Sequence, residues 1–205
     1  AVDLSKADWD TQELSPDFAT SELVAAHTGG QSLSAAFESM VANRRAAVTE
    51  MKSIEGAVNE AMFRASGLSV EGTTSGQRPT SLLADPAFRF SRRAEADLAL
   101  LERQDAIVDL VSYAVGCMFG RYCLDAPGLI LADQETTLQD YFARAPSPTF
   151  APDRDNVIPI VDGDWFEDDI LGRFRLFLRS AFGDQHFEEN LRFVTESLGV
   201  KNLRD

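Results

Sequence analysis

Histidine and cysteine are scarce in this chain, with two of each among 205 residues. A structural zinc site takes four Cys or His ligands. Cys117 and Cys123 have no histidine near them in sequence, so they make a poor zinc pair. Six residues apart on one helix, they would point to nearly opposite faces, which argues against a disulfide and for buried free thiols of a cytosolic protein. His27 and His186 stand in no arrangement with a serine, cysteine or carboxylate that reads as a nucleophilic site. Long apolar runs are missing as well. The longest, residues 107–119, contains Asp109 and is too short to span a bilayer. No signal peptide precedes Ala1, and the expected location is the cytoplasm, with no membrane partner. Basic residues are also in short supply: 19 Lys and Arg against 33 Asp and Glu leave a net charge of −14. A domain that grips DNA through its phosphates is normally basic, so a stand-alone DNA clamp is excluded, and only a local arginine cluster remains as a DNA contact. There is no internal repeat and no low-complexity tract.

What is present is a hydrophobic content of 44%, ordinary for a globular protein, in a chain long enough to bury one core or two small lobes. Residues 1–31 read as irregular, with turns at Asp8-Trp9-Asp10 and Ser15-Pro16-Asp17-Phe18 and apolar anchors at Trp9, Leu14 and Phe18. Ser32 or Ser34 then caps a long helix to about Ser66, closed by Gly67. Its apolar stripe runs Phe37, Met40, Val41, Val48, Met51, Ile54, Val58, Met62 and Phe63, with Arg44, Arg45, Lys52, Glu55 and Glu60 largely off it. Residues 69–85 are rich in Gly, Ser and Thr, and Pro86–Phe90 reads as a short extended piece. A second helical region starts near Arg93 and ends near Tyr122, followed by the turn Asp125-Ala-Pro-Gly128. A short helix is expected over residues 137–143, amid Pro146, Pro148 and Pro152. Residues 157–160 are extended. Asp162 or Asp164 caps a helix over residues 165–182, and Asp184 starts a last helix closed by Gly199. The fold class is mainly α, an irregular helical bundle with long loops and at most a short strand pair. The organisation is an N-terminal extended arm and long helix (1–68), a flexible loop (69–92) and a helical region (93–205).

Few residues invite a functional assignment. The candidates for a DNA or partner contact are Arg121, at the end of the second helical region, and Arg173, Arg175 and Arg179, a basic flank of the next helix. Ion pairing with the acidic surface competes with that role. Gly116-x-x-x-Gly120 places two glycines on one helical face, where another helix can approach closely. Glu167-Asp168-Asp169 resembles a metal cluster, but falls in the first turn of the expected helix, where the helix dipole favours negative charge. No catalytic, cofactor-binding or metal-binding residue is assigned.

Three blocks carry a family resemblance. The first is Ala7-Asp-Trp-Asp10 with Ser15-Pro-Asp-Phe18. The second is Val111-Ser-Tyr-Ala-Val-Gly-Cys-Met-Phe-Gly-Arg-Tyr-Cys-Leu-Asp125 with Pro127-Gly-Leu-Ile130. The third joins Asn156-Val-Ile-Pro159, Trp165-Phe-Glu-Asp-Asp-Ile170 and Phe187-Glu-Glu-Asn-Leu-Arg-Phe193. In this order they resemble the PglX family, adenine-specific DNA methyltransferases of BREX (bacteriophage exclusion) systems, in a region downstream of the catalytic domain. Methyl transfer to adenine N6 needs a Gly-rich turn for S-adenosylmethionine and an Asn/Asp-Pro-Pro-aromatic loop for the flipped base. Neither is in these 205 residues; Asn156-Val-Ile-Pro159 has the wrong spacing. The resemblance therefore implies S-adenosylmethionine for a parent enzyme and no cofactor in this segment. It implies as partners the remaining domains of that methyltransferase, DNA through the parent, and other BREX components.

Three functions compete on these grounds. The leading one is a helical spacer between the catalytic and recognition parts of the enzyme. The others are a protein-interaction module docking another defence component and an acidic DNA mimic. A mimic needs carboxylates spaced like phosphates along one face, whereas here acids cluster at helix starts and alternate with arginine.

Overall fold

A computed structural model of the chain describes residues 1–67, 79–160 and 169–204. Among them the regular structure is helical, with no strand: α1 (Val2–Trp9), α2 (Glu22–Ala26), α3 (Leu33–Ala65), α4 (Pro86–Arg89), α5 (Leu98–Met118), α6 (Leu138–Arg144), α7 (Ile170–Phe182) and α8 (Phe187–Leu198). A single 3₁₀ turn, Glu95–Asp97, leads into α5. The chain is mainly α, as its periodicities require. Residues 157–160 make no ladder.

The long helix α3 starts where Ser32 accepts a hydrogen bond from the Ala35 N–H, one of the donors that the first turn leaves without a helical partner. The Leu33 N–H, another such donor, is satisfied by Oδ1 of the fully buried Asn190 on α8, at 2.7 Å. This bond fixes the start of α3 against α8. At 1.5 Å per residue α3 is about 50 Å long. Leu33, Ala36, Met40, Val41 and Met51 on its stripe are buried; Val58 and Met62 further along are exposed. Arg44 is buried too, on the stripe rather than off it. It lies four residues after Met40 and seven before Met51, which places it on their face.

The core centres on α5, which packs against α7 and α8, while α3 packs on α2 and α8. Ala106, Leu110, Tyr113, Ala114 and Cys117 are buried along α5, joined by Phe174, Phe177, Leu178 and Phe182 of α7 and Phe187 and Val194 of α8. The opposite side of α5 is open, with Val108 and Ser112 exposed.

Several local expectations need correction. The first 31 residues contain α1 and α2; Phe18 and Leu23 anchor them, while Trp9 and Leu14 are exposed. Pro86–Phe90 is not extended. Asp85 caps α4 by accepting from the Ala87 N–H, and Pro86 occupies the first turn, where its missing N–H costs nothing. The helix expected over 165–182 begins at Ile170. Asp169 is its cap, with extended backbone and its side chain accepting from the Gly172 N–H, so the helix does not run back through it. Asp162, Asp164 and residues 165–168, including Glu167 and Asp168, lie outside the described residues. Thr137 and Asp140 form a reciprocal capping box on α6, and Gly199 closes α8 in a left-handed conformation.

Candidate functional site

The second family block, residues 111–125, covers the last turns of α5 and the reversal after it, and its two glycines serve that reversal. The helix stops at Met118. Gly120, at φ +73°, donates to the Cys117 carbonyl, and the Arg121 N–H reaches back to the Gly116 carbonyl at 2.8 Å. This is a Schellman termination, which needs a residue tolerant of left-handed backbone. The chain then turns the Tyr122 ring onto Gly116, so that a Cβ at 116 would lie 2.4 Å from the ring. Gly116 faces the returning Tyr122 rather than a helix; Gly120 faces Leu131 and Pro152 of the following loop and, at 3.4 Å from its Cβ position, Tyr141 of α6. Counting period alone carried the helix past its true end.

The reversed chain closes an aromatic cluster. Tyr122 stacks on Tyr113 at 5.1 Å between ring centres, and Phe18 meets both rings edge-on. Tyr113 donates its hydroxyl to the Cys123 carbonyl and accepts from Thr20. Cys117 and Cys123 are free and buried. Burial pushes the Cys117 thiol up to about 12, which makes it unreactive rather than nucleophilic. Asp125 holds the following turn by accepting from both the backbone and the hydroxyl of Thr149, at 2.7 and 2.6 Å.

The four candidate arginines do not converge. Arg121 is exposed with its guanidinium 5.5 Å from the Tyr122 ring centre. Arg173 donates to the Ala151 carbonyl at 2.7 Å and covers Phe150. Arg179 pairs with Asp184 and stacks over Phe187 at 3.7 Å. Arg175 is exposed on the same helix.

The histidines have partners that the sequence did not reveal. His27 meets Phe182 edge-on. His186 Nδ1 lies 3.1 Å from Glu189 Oε2, and Ser34 donates to the other oxygen of Glu189 at 3.3 Å. The carboxylate thus stands between hydroxyl and imidazole. A nucleophilic triad needs the imidazole in the middle, so this trio has the wrong order for activating Ser34. No group of three or more His, Cys, Asp or Glu among the described residues is placed to hold a metal ion.

A cleft of about 350 Å³ lies beneath the N-terminal arm, between Trp9, Phe18, Met40 and Leu83. At its base the buried Arg44 pairs with Glu22 and lies 3.7 Å from Glu102 on α5. Burial pushes the Glu102 carboxyl above its ordinary range. On the wall, Glu13 accepts from the Tyr122 hydroxyl at 3.3 Å. Asp109, half-exposed, is raised to about 6 by desolvation and by the neighbouring Asp105. Arg89 of α4 pairs with Asp105 at 2.7 Å. Sequence reasoning missed this network because charged residues are assigned to solvent by default. The signal that identifies it is the position of Arg44 within the apolar stripe.

No protein-family model matches the chain. Two curated proteins match along nearly all of it. The adenine-specific methyltransferase BrxX of Escherichia coli O9:H4 (strain HS) is 34% identical over 200 residues, 97% of this chain and 16% of that protein. The adenine-specific methyltransferase PglX of Lacticaseibacillus casei (strain Zhang) is 30% identical over 205 residues, 98% of this chain and 15% of that protein. The chain therefore spans about one sixth of the length of these relatives, and the likeness to PglX extends well beyond the three motif blocks. Among the described residues, no helix is long and apolar enough to cross a membrane.

Proposed function

We propose that this chain is a non-catalytic helical spacer within a site-specific adenine-N6 DNA methyltransferase of a BREX phage-defence system, working in the cytoplasm. The observation that carries the reading is the match itself: nearly all of this chain aligns with about a sixth of two adenine-specific methyltransferases. The sequence adds that the cofactor turn and the Asn-Pro-Pro-aromatic loop are missing from these residues. Among the described residues no glycine lines the cleft beneath the arm, and its Arg44 is committed to Glu22 and Glu102, which supports placing S-adenosylmethionine in the rest of the parent enzyme. The cofactor and the DNA are assigned to the parent enzyme, and the partners of this segment are the enzyme's other domains and further defence components.

A spacer must be stiff, and the construction of this segment supports that role. The end of α5 is closed by its own Schellman turn and aromatic cluster. The start of α3 is tied to α8 through Asn190. Such a body transmits a fixed separation between whatever precedes and follows it.

The test is a methylation assay on the full-length parent carrying Gly116→Leu, which disrupts the aromatic cluster of Phe18, Tyr113 and Tyr122 while touching no proposed ligand. The expected result is lost methylation of duplex DNA with S-adenosylmethionine binding retained. Loss of cofactor binding in step with methylation would make this segment part of the cofactor site and overturn the spacer reading.

A further inference from the structure

We propose that the exposed end of α3, centred on Val58 and Met62, is a docking surface for an apolar, base-rimmed helix from another part of the parent polypeptide. The inference rests on the reading of this chain as part of a longer methyltransferase and names the surface through which the part would be joined to the whole.

The argument starts from one straight stripe. Met51, Ile54, Val58, Met62 and Ala65 follow each other at three- and four-residue steps, continuing the line of Leu33, Met40 and Arg44. The first part of this stripe is the protein's core: Leu33 is 0% exposed, and Met40 and Met51 are each 2% exposed. The last part is not: Val58 is 52% exposed and Met62 is 63% exposed. The pattern that buries the first part of the helix therefore continues past Met51 into side chains that stand exposed. A solvated helix end has no need of an apolar stripe, whereas helix-in-groove recognition uses anchors at this spacing. Methionine suits such a contact because its flexible thioether adapts to the surface it meets.

Two observations select the occupant. The relatives are about six times longer than this chain, so most of the surface available to cover α3 lies in the rest of such a polypeptide. The stripe is also flanked by acid: Glu55 lies three residues before Val58, and Glu50 four before Ile54. Arg64 and Glu60 pair with each other away from the stripe. The complementary surface is an apolar helix face with basic residues on its rim.

The test is oxidation of methionines by dilute peroxide, read residue by residue in the isolated chain and in the full-length parent. In the isolated chain Met62 should oxidise roughly tenfold or more faster than the buried Met40, Met51 and Met118, since exposure governs susceptibility. In the parent, Met62 should fall to the rate of Met51. In a second arm, Met62→Glu should leave the melting temperature of the isolated chain unchanged and lower that of the parent. Unchanged exposure of Met62 in the parent would overturn the proposal. So would protection that appears in the isolated chain, which would mean self-covering, or self-association if it rises with concentration. A parallel methylation assay separates this claim from the functional one. A parent that methylates adenine with Met62 exposed fails only the docking. A parent that protects Met62 without methylating fails only the assignment of function.

Discussion

Gly116 and Tyr122 are fitted to one another: a Cβ on Gly116 would lie 2.4 Å from Cδ2 of the tyrosine ring, closer than any real contact. The ring cannot simply swing aside, because Tyr113 stacks on it and Phe18 abuts its edge. Gly116→Ala should therefore destabilise the protein by about 1–3 kcal/mol, the range for overpacking a filled site. In a Tyr122→Ala background the same change should instead stabilise by up to about 1 kcal/mol, because alanine is the better helix former. Denaturant titration of the four proteins gives the cycle, and an unchanged sign in the second background would refute the pairing.

Arg44 lies 94% buried between α2 and α5, with Glu22 and Glu102 as partners. Removing one side of such a pair leaves its partners desolvated without compensation. Arg44→Met should cost about 3 kcal/mol, at the lower end for buried ion pairs because Glu22 keeps some contact with water. The triple change Glu22→Leu, Arg44→Met, Glu102→Leu should recover most of that loss. Chemical denaturation measures both, and a triple variant no more stable than Arg44→Met would argue against a desolvation origin.

Asp109 has its carboxyl raised to about 6 by burial and by Asp105. The folded state then holds a proton that the unfolded state releases near pH 4. Stability contributed by this group is present at low pH and falls as pH rises from about 4 through 6. Asp109→Asn removes the titration. The variant should melt above the parent chain at pH 7.5, with the gap closing at pH 4. A gap that is constant with pH would show that the effect is not Asp109 ionisation.

Much of this architecture was legible in the sequence, and the failures share a cause. Ser32, Thr137 and Gly199 announce helix ends because their chemistry satisfies orphan backbone groups or permits left-handed backbone. Period alone is weaker evidence. It carries α5 through Gly120, whose conformation terminates that helix, while at Arg44 the spacing from Met40 and Met51 points to the core and the charge to solvent. The run Glu167-Asp168-Asp169 has the composition of a helical first turn, yet Asp169 is the cap. Tertiary pairings such as Ser34 with Glu189, 155 residues apart, leave no local trace. The arginines of α7 were recognisable as a basic flank, but not the fact that Arg173 reaches Ala151 and Arg179 reaches Asp184.

Binding of duplex DNA by the isolated chain should be weak or absent at physiological salt. Its net charge of −14 opposes the phosphates, and Arg179 is already paired with Asp184. Replacing Arg173, Arg175 and Arg179 by Ala should leave that poor binding unchanged in fluorescence anisotropy. Micromolar, salt-sensitive binding lost on those substitutions would make this segment a recognition element.

The most direct measurement is a calorimetric titration of S-adenosylmethionine into the folded 205-residue chain. A spacer that lacks the cofactor turn predicts no saturable heat at any concentration reached. Stoichiometric binding to the isolated chain would contradict the account at its centre, because a cofactor site would then lie within residues assigned here to holding the enzyme's working parts apart.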